Sequence, residues 1–108
     1  MSQADIALTM QRVRREQTRW YLLLALNVSR PAGAASAVLL SIIHANYPDA
    51  TESEIRRELD YLGARKLIDI DKRPDGRWHS DLNRLGVDLV EYTVACEPGI
   101  ARPACLGG

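Results

Sequence analysis

The sequence predicts a mainly α-helical α+β domain, and three stretches carry that expectation. Residues from about Ala4 to Asn27 hold apolar side chains at helical spacing. Thr51 to Leu67, TESEIRRELDYLGARKL, is a shorter amphipathic segment that opens with a helix-start signal. Beyond it two alternating runs, LIDID and RWHSDL, flank KRPDG, which reads as a strand, a turn and a returning strand.

Composition bounds the rest. At 108 residues the chain has room for one domain. A domain of this size can bury somewhat over ~60% of its unfolded surface, so it needs no disulfide or metal to be stable. Apolar residues make up 46%, with two Trp, four Tyr and no Phe. Fourteen basic residues balance fourteen acidic ones, giving a formal net charge of zero. A strong nucleic-acid binder usually carries a basic excess, so the balance weighs against that class. The first residues, MSQADIALTM, lack the basic start and long apolar run of a signal peptide. The longest apolar run, Trp20 to Leu26, is far short of a membrane span. The expectation is a soluble, cytoplasmic protein with no membrane partner. Cys96 and Cys105 do not form a zinc-ligand pattern and read as reduced, structurally minor thiols.

In the first helix, Ile6, Met10, Val13, Trp20 and Leu24, with Gln17 filling the gap, make a seam of nearly coiled-coil spacing. Tyr21 to Leu26 is apolar on nearly every side and should lie within the domain. The first half is more polar, with Arg12, Arg15 and Arg19 together away from the seam and Arg14 nearby. These read as a solvated face, or as contacts to phosphate or to a partner's acidic residues. A helix longer than the domain needs, with an apolar seam in its protruding half, suggests a homodimer formed through it.

Val28 to Ala35, with Pro31 and Gly33, is a loop. Ser36 is a candidate N-cap for a helix from Ala37 to about Asn46, buried through Leu39, Leu40, Ile42 and Ile43. His44 reads as a packed or capping side chain, and NYPDA is the turn that follows. Thr51 then caps the next helix, and Glu54 is placed to complete a capping box. Ile55, Leu59 and Leu62 form its inner face; Ser53, Arg57 and Asp60 lie opposite, flanked by Arg56 and Tyr61. Trp78, Ser80 and Leu82 share one side of the returning strand. Asn83 can cap a last helix to about Ala95, with Leu85, Leu89, Val90, Tyr92 and Val94 as its apolar side. Residues 1–95 thus read as one domain, and residues 96–108 as an extended tail whose PGIARP piece packs back on it.

No enzyme signature is present: there is no Gly-rich phosphate loop, no HExxH and no nucleophile elbow. The expectation is a protein that is not an enzyme and needs no cofactor or metal.

The spacing L-x-x-L-x-x-x-x-L-I at Leu59, Leu62, Leu67 and Ile68, then Trp78 and Leu82-Asn-Arg-Leu-Gly86, resembles the winged helix-turn-helix superfamily. The runs ELDYLGARKLIDI, RWHSDLNRLGVDLVEY and PGIARP are most similar to small winged-helix proteins of Mu-like prophages, grouped by fold with ArsR- and MarR-type regulators. The resemblance implies that the capped helix is a recognition helix and the hairpin a wing. The cysteine pair of metal-sensing ArsR proteins is missing, so metal sensing is not implied. The implied function is sequence-specific binding of double-stranded DNA by a dimeric phage or bacterial transcriptional regulator. The candidate DNA contacts are Thr51 at the helix start, Ser53, Arg56, Arg57, Asp60 and Tyr61 along the helix, and Lys72, Arg73 and Arg77 at the wing. The acidic residues of the same helix, Glu52, Glu54, Glu58 and Asp60, favour a second reading: a winged-helix protein-interaction module without DNA binding.

Overall fold

Ser2 starts the first helix. Its Oγ accepts the Asp5 N–H at 3.1 Å, and the Asp5 carboxylate accepts the Ser2 N–H at 3.3 Å, which satisfies two orphan donors reciprocally. Helix α1 then runs over Gln3–Val28 in the computed structural model, which describes residues 1–104. Its buried side chains are Thr18, Trp20, Leu22, Leu23 and Leu26. Of the expected seam, Trp20 reaches the core, while its first half stays outside, as a protruding half requires. Ile6, Met10 and Val13 are exposed and Leu24 is half-buried. Trp20 lies at the edge of the core, edge-on to Tyr92 with ring centroids 6.5 Å apart.

The loop after α1 hides a two-residue strand, β1 (Ala34–Ala35). Helix α2 follows at once over Ser36–Ile43. Because β1 already holds Ala35 extended, Ala35 rather than Ser36 stands at the N-cap, and no side chain caps this helix. Leu39 and Ile43 are fully buried, but Ile42 points outward. His44 closes α2, with its Nε2 2.8 Å from the Ala50 carbonyl oxygen.

Helix α3 spans Glu52–Ala64. The Thr51 Oγ1 accepts the Glu54 N–H at 3.2 Å. The Glu54 carboxylate does not turn back to complete a capping box; Arg14 holds it at 2.8 Å. Ile55, Leu59 and Leu62 are fully buried, as their spacing requires. Gly63 leaves room for Ile70, whose Cδ1 would stand 3.2 Å from a Cβ there.

Strands β2 (Ile68–Lys72) and β3 (Trp78–Leu82) pair antiparallel, with Ile70 opposite Ser80. Each begins one residue later than the alternation suggests. The Arg73 N–H donates to the Arg77 carbonyl at 2.9 Å, and Gly76, at φ 88°, turns the tip. Strand β1 pairs with the far side of β3, so the sheet order is β1-β3-β2. Ser80 and Leu82 are buried, and β3 packs against α1 and α2.

Helix α4 covers Arg84–Val90, capped by the Asn83 Oδ1 accepting the Gly86 N–H at 3.1 Å. It stops short of the expected Ala95 because Tyr92 adopts φ 64° and the Thr93 N–H turns back to the Asp88 carbonyl. Leu85 faces solvent rather than the core. Residues 96–104 dock: Ile100 is buried in the same core, and the Ala101 N–H donates to the Glu16 carbonyl at 3.2 Å. Arg102 donates to the Leu89 and Val94 carbonyls, both at 2.9 Å. The expectation for Cys105 falls outside the described residues. Among the described residues no helix is long and apolar enough to cross a membrane.

Candidate nucleic-acid interface

The inner row of α3 is consumed by the core, which leaves its outer side next to the β2–β3 hairpin. Ser53 and Arg57 are exposed there, and Arg57 is the more open of the two α3 arginines, with 69% of its side chain accessible. Thr51 is exposed at the helix start, but its hydroxyl is committed to the Glu54 N–H.

Arg56 ties the helix to the hairpin. Its Nη2 donates to the Gly76 carbonyl at 2.6 Å and to Glu52 at 3.0 Å. Its guanidinium lies 4.8 Å from the Trp78 ring centroid. Lys72 approaches the same ring at 4.3 Å while pairing with Asp60 at 2.9 Å. Trp78 is thus a platform that two cations share, one from the helix and one from the hairpin. Alternation places Trp78 on the inner side of β3, but the pattern of a single segment carries no sign of this cross-element role.

Tyr61 is not on the outer side. It turns toward α1, where the Arg19 guanidinium stacks 3.5 Å above its ring. The Tyr61 hydroxyl accepts from Arg65 at 3.0 Å, and Gly99 packs so closely against it that any Cβ there would collide. Tyr61 belongs to the joint between α3, α1 and the C-terminal segment.

That joint also corrects the reading of the α1 arginines. Arg19 Nε donates to Glu58 at 2.9 Å and its Nη1 to the Gly99 carbonyl at 2.8 Å. Arg14 makes a two-point contact with Glu54 at 2.8 Å and reaches Asp49 at 2.9 Å. Hydrogen bonding to Glu54 pushes the Arg14 guanidinium pKa above its ordinary value, so it stays charged across the neutral range. Arg12 pairs with Glu16 on its own helix at 3.7 Å. Arg14 and Arg19 therefore fasten α1 to α3 rather than waiting for phosphate.

The hairpin cations are exposed: Arg73 lies 3.2 Å from Asp71, and Arg77 lies 3.5 Å from Asp75. Including Arg57, 3.6 Å from Glu58, each of the five cations on this surface has a carboxylate within 4.0 Å. The pairs of Lys72, Arg73 and Arg77 are exposed on both sides and such pairs are worth ~0–1 kcal/mol, so these cations can leave their carboxylates for phosphate at little cost. The carboxylates stay behind, however, and weaken the field that would attract a polyanion. Among the described residues no group of three His, Cys, Asp or Glu side chains is placed to hold a metal ion.

Comparison with family models, with curated proteins and with solved structures returned no match.

Proposed function

We propose that this chain is a winged helix-turn-helix protein that binds double-stranded DNA through α3 and the β2–β3 hairpin. In this reading it acts as a homodimer and regulates transcription in a phage or a bacterium. One observation carries the reading. The elements run helix, strand, helix, helix, hairpin, β1 pairs with β3, and the Arg56 contact to the Gly76 carbonyl holds the hairpin tip beside α3. A helix presented this way can enter a major groove while the hairpin reaches the neighbouring backbone. Arg57 is the residue best placed to meet a base edge, and Arg73 and Arg77 to meet phosphate. Arg56 and Lys72 join helix and hairpin through Trp78.

A specific observation favours a second reading, that of a protein-interaction module. The carboxylates spread among the five cations leave a surface of mixed sign, which suits a partner with mixed charges better than a uniform polyanion. A capture experiment separates the two. Purified protein is mixed with sheared genomic DNA of the source organism at near-physiological salt, and the retained fragments are sequenced. Enrichment of one site, above all an inverted repeat with half-sites a helical turn apart, supports the dimeric regulator. Absence of retention removes the DNA reading and leaves the interaction module.

A further inference from the structure

The outward side of α1 carries a stripe that the domain covers only in part, through Tyr21 and Leu24, which rest against the core edge. Ile6, Met10, Val13, Gln17, Tyr21, Leu24 and Val28 follow one another at spacings 4-3-4-4-3-4. At about 100° per residue they keep within one sector of the helix, roughly opposite Leu22, Leu23 and Leu26, which face the core. Exposure is 45% at Ile6, 67% at Met10, 46% at Val13 and 86% at Val28. The three residues between are half-buried. None of the seven is charged. The stripe departs from the simple seam because Trp20 turns into the domain and Tyr21 takes the outward position.

The spacing is the same read from either end, and its centre is Gln17. A surface that meets a second copy of itself across a two-fold axis must be self-complementary in this way. We infer that two chains pair along the length of α1, antiparallel, with Gln17 on the axis. Ile6 then faces Val28 of the second copy, Met10 faces Leu24, and Val13 faces Tyr21. The inference rests on the dimer part of the function proposed above and is independent of DNA binding.

Three further observations fit this occupant. Two shallow depressions flank Gln17: one beside Met10, Val13 and Tyr47, the other lined by Tyr21, Leu24, Val28 and Ile42. The antiparallel register lays the first half of one α1, which its own domain leaves uncovered, against the second depression of the other copy. It also covers Ile42, an outward apolar side chain of α2. The chain has zero net charge, so two copies meet without long-range repulsion. A single amide at the centre of an apolar seam is a device that fixes register, and two glutamine amides on a two-fold axis can donate and accept reciprocally.

The test is cysteine cross-linking in a Cys96→Ser, Cys105→Ser background, with mass measured by light scattering at about ten micromolar protein. A dimer is expected. Gln17→Cys should cross-link to itself on mild oxidation, because only a position at the axis brings the two Cα atoms within disulfide range. Met10→Cys alone and Leu24→Cys alone should not, but an equal mixture of the two should. Met10→Glu, at a side chain 67% exposed in its own domain, should convert dimer to monomer with unchanged helical circular dichroism. A monomeric parent protein would overturn both this inference and the dimer part of the proposed function, leaving DNA capture to decide the rest. A dimer in which Met10→Cys links to itself and Gln17→Cys does not would overturn the antiparallel register alone.

Discussion

Glu58 is acidic, sits in the helix proposed to meet DNA, and yet touches no solvent. Its position in the molecule is set by Arg19, which supplies the hydrogen bond at 2.9 Å and a stacking partner for Tyr61. Removing one member of a buried pair leaves the other as an uncompensated charge, which costs more than the pair contributes. Arg19→Ala should lower stability by ~3–5 kcal/mol, read from urea unfolding. The double change Arg19→Met, Glu58→Leu should recover most of that loss; equal destabilisation in both would show that the pair's charge is not the issue. Arg57 is the opposite case, because its contact with Glu58 is long and its side chain open. Arg57→Ala should leave the unfolding midpoint unchanged and reduce affinity for the captured DNA site by ~1–3 kcal/mol. Arg73→Ala should weaken all sequences alike. Unchanged affinity in both variants would count against the DNA face.

Among the elements, the C-terminal segment is the one whose role exceeds its sequence signal. PGIARP has no periodicity, but Ile100 enters the core, and Gly99 lets the backbone lie against Tyr61 and receive Arg19. Only a residue without Cβ fits there, and its φ of 112° is one that other residues rarely adopt. The segment therefore closes the joint between α1 and α3. Ile100→Ala should cost ~2–5 kcal/mol in unfolding free energy. Hydrogen exchange should rise in the second half of α3 along with the segment itself; exchange confined to residues after Val90 would mean the strap does not support α3. The hairpin shows the same dependence on a distant partner. Its alternation is local, but its contact with α3 runs through Arg56 and Lys72, which meet on Trp78.

At the scale of the whole molecule, the balance of charge decides how it can meet a polyanion. Even with all five cations on phosphates, the slope of log K against log salt would reach only about −4.5 per protomer. The neighbouring carboxylates remain in place on binding, so the measured slope should be shallower than that. A steeper slope would show cations engaged beyond the α3–hairpin surface. Specificity would then depend on base contacts and on the spacing of two copies rather than on attraction to the backbone.

Much of this architecture is local, and local features are what a sequence determines by itself. The 3.6 period places Ile55, Leu59 and Leu62 on one side of α3, Thr51 and Asn83 cap their helices through short-range hydrogen bonds, and KRPDG turns a hairpin whatever surrounds it. The outward placement of Ser53, Arg57 and Asp60 follows from the same period. What depends on contacts between distant segments was left to the tertiary structure. It decided that Glu54 would bind Arg14 instead of its own cap, and that Tyr61 would face Arg19. It decided too that a two-residue strand would form where only a loop is legible, because β1 exists solely through its pairing with β3. It turned α1 so that Leu22, Leu23 and Leu26 meet the core together with Trp20, while Tyr21 and Leu24 stay half-buried. A helix apolar on most sides offers several faces of similar worth, and only the shape of the packed domain selects among them.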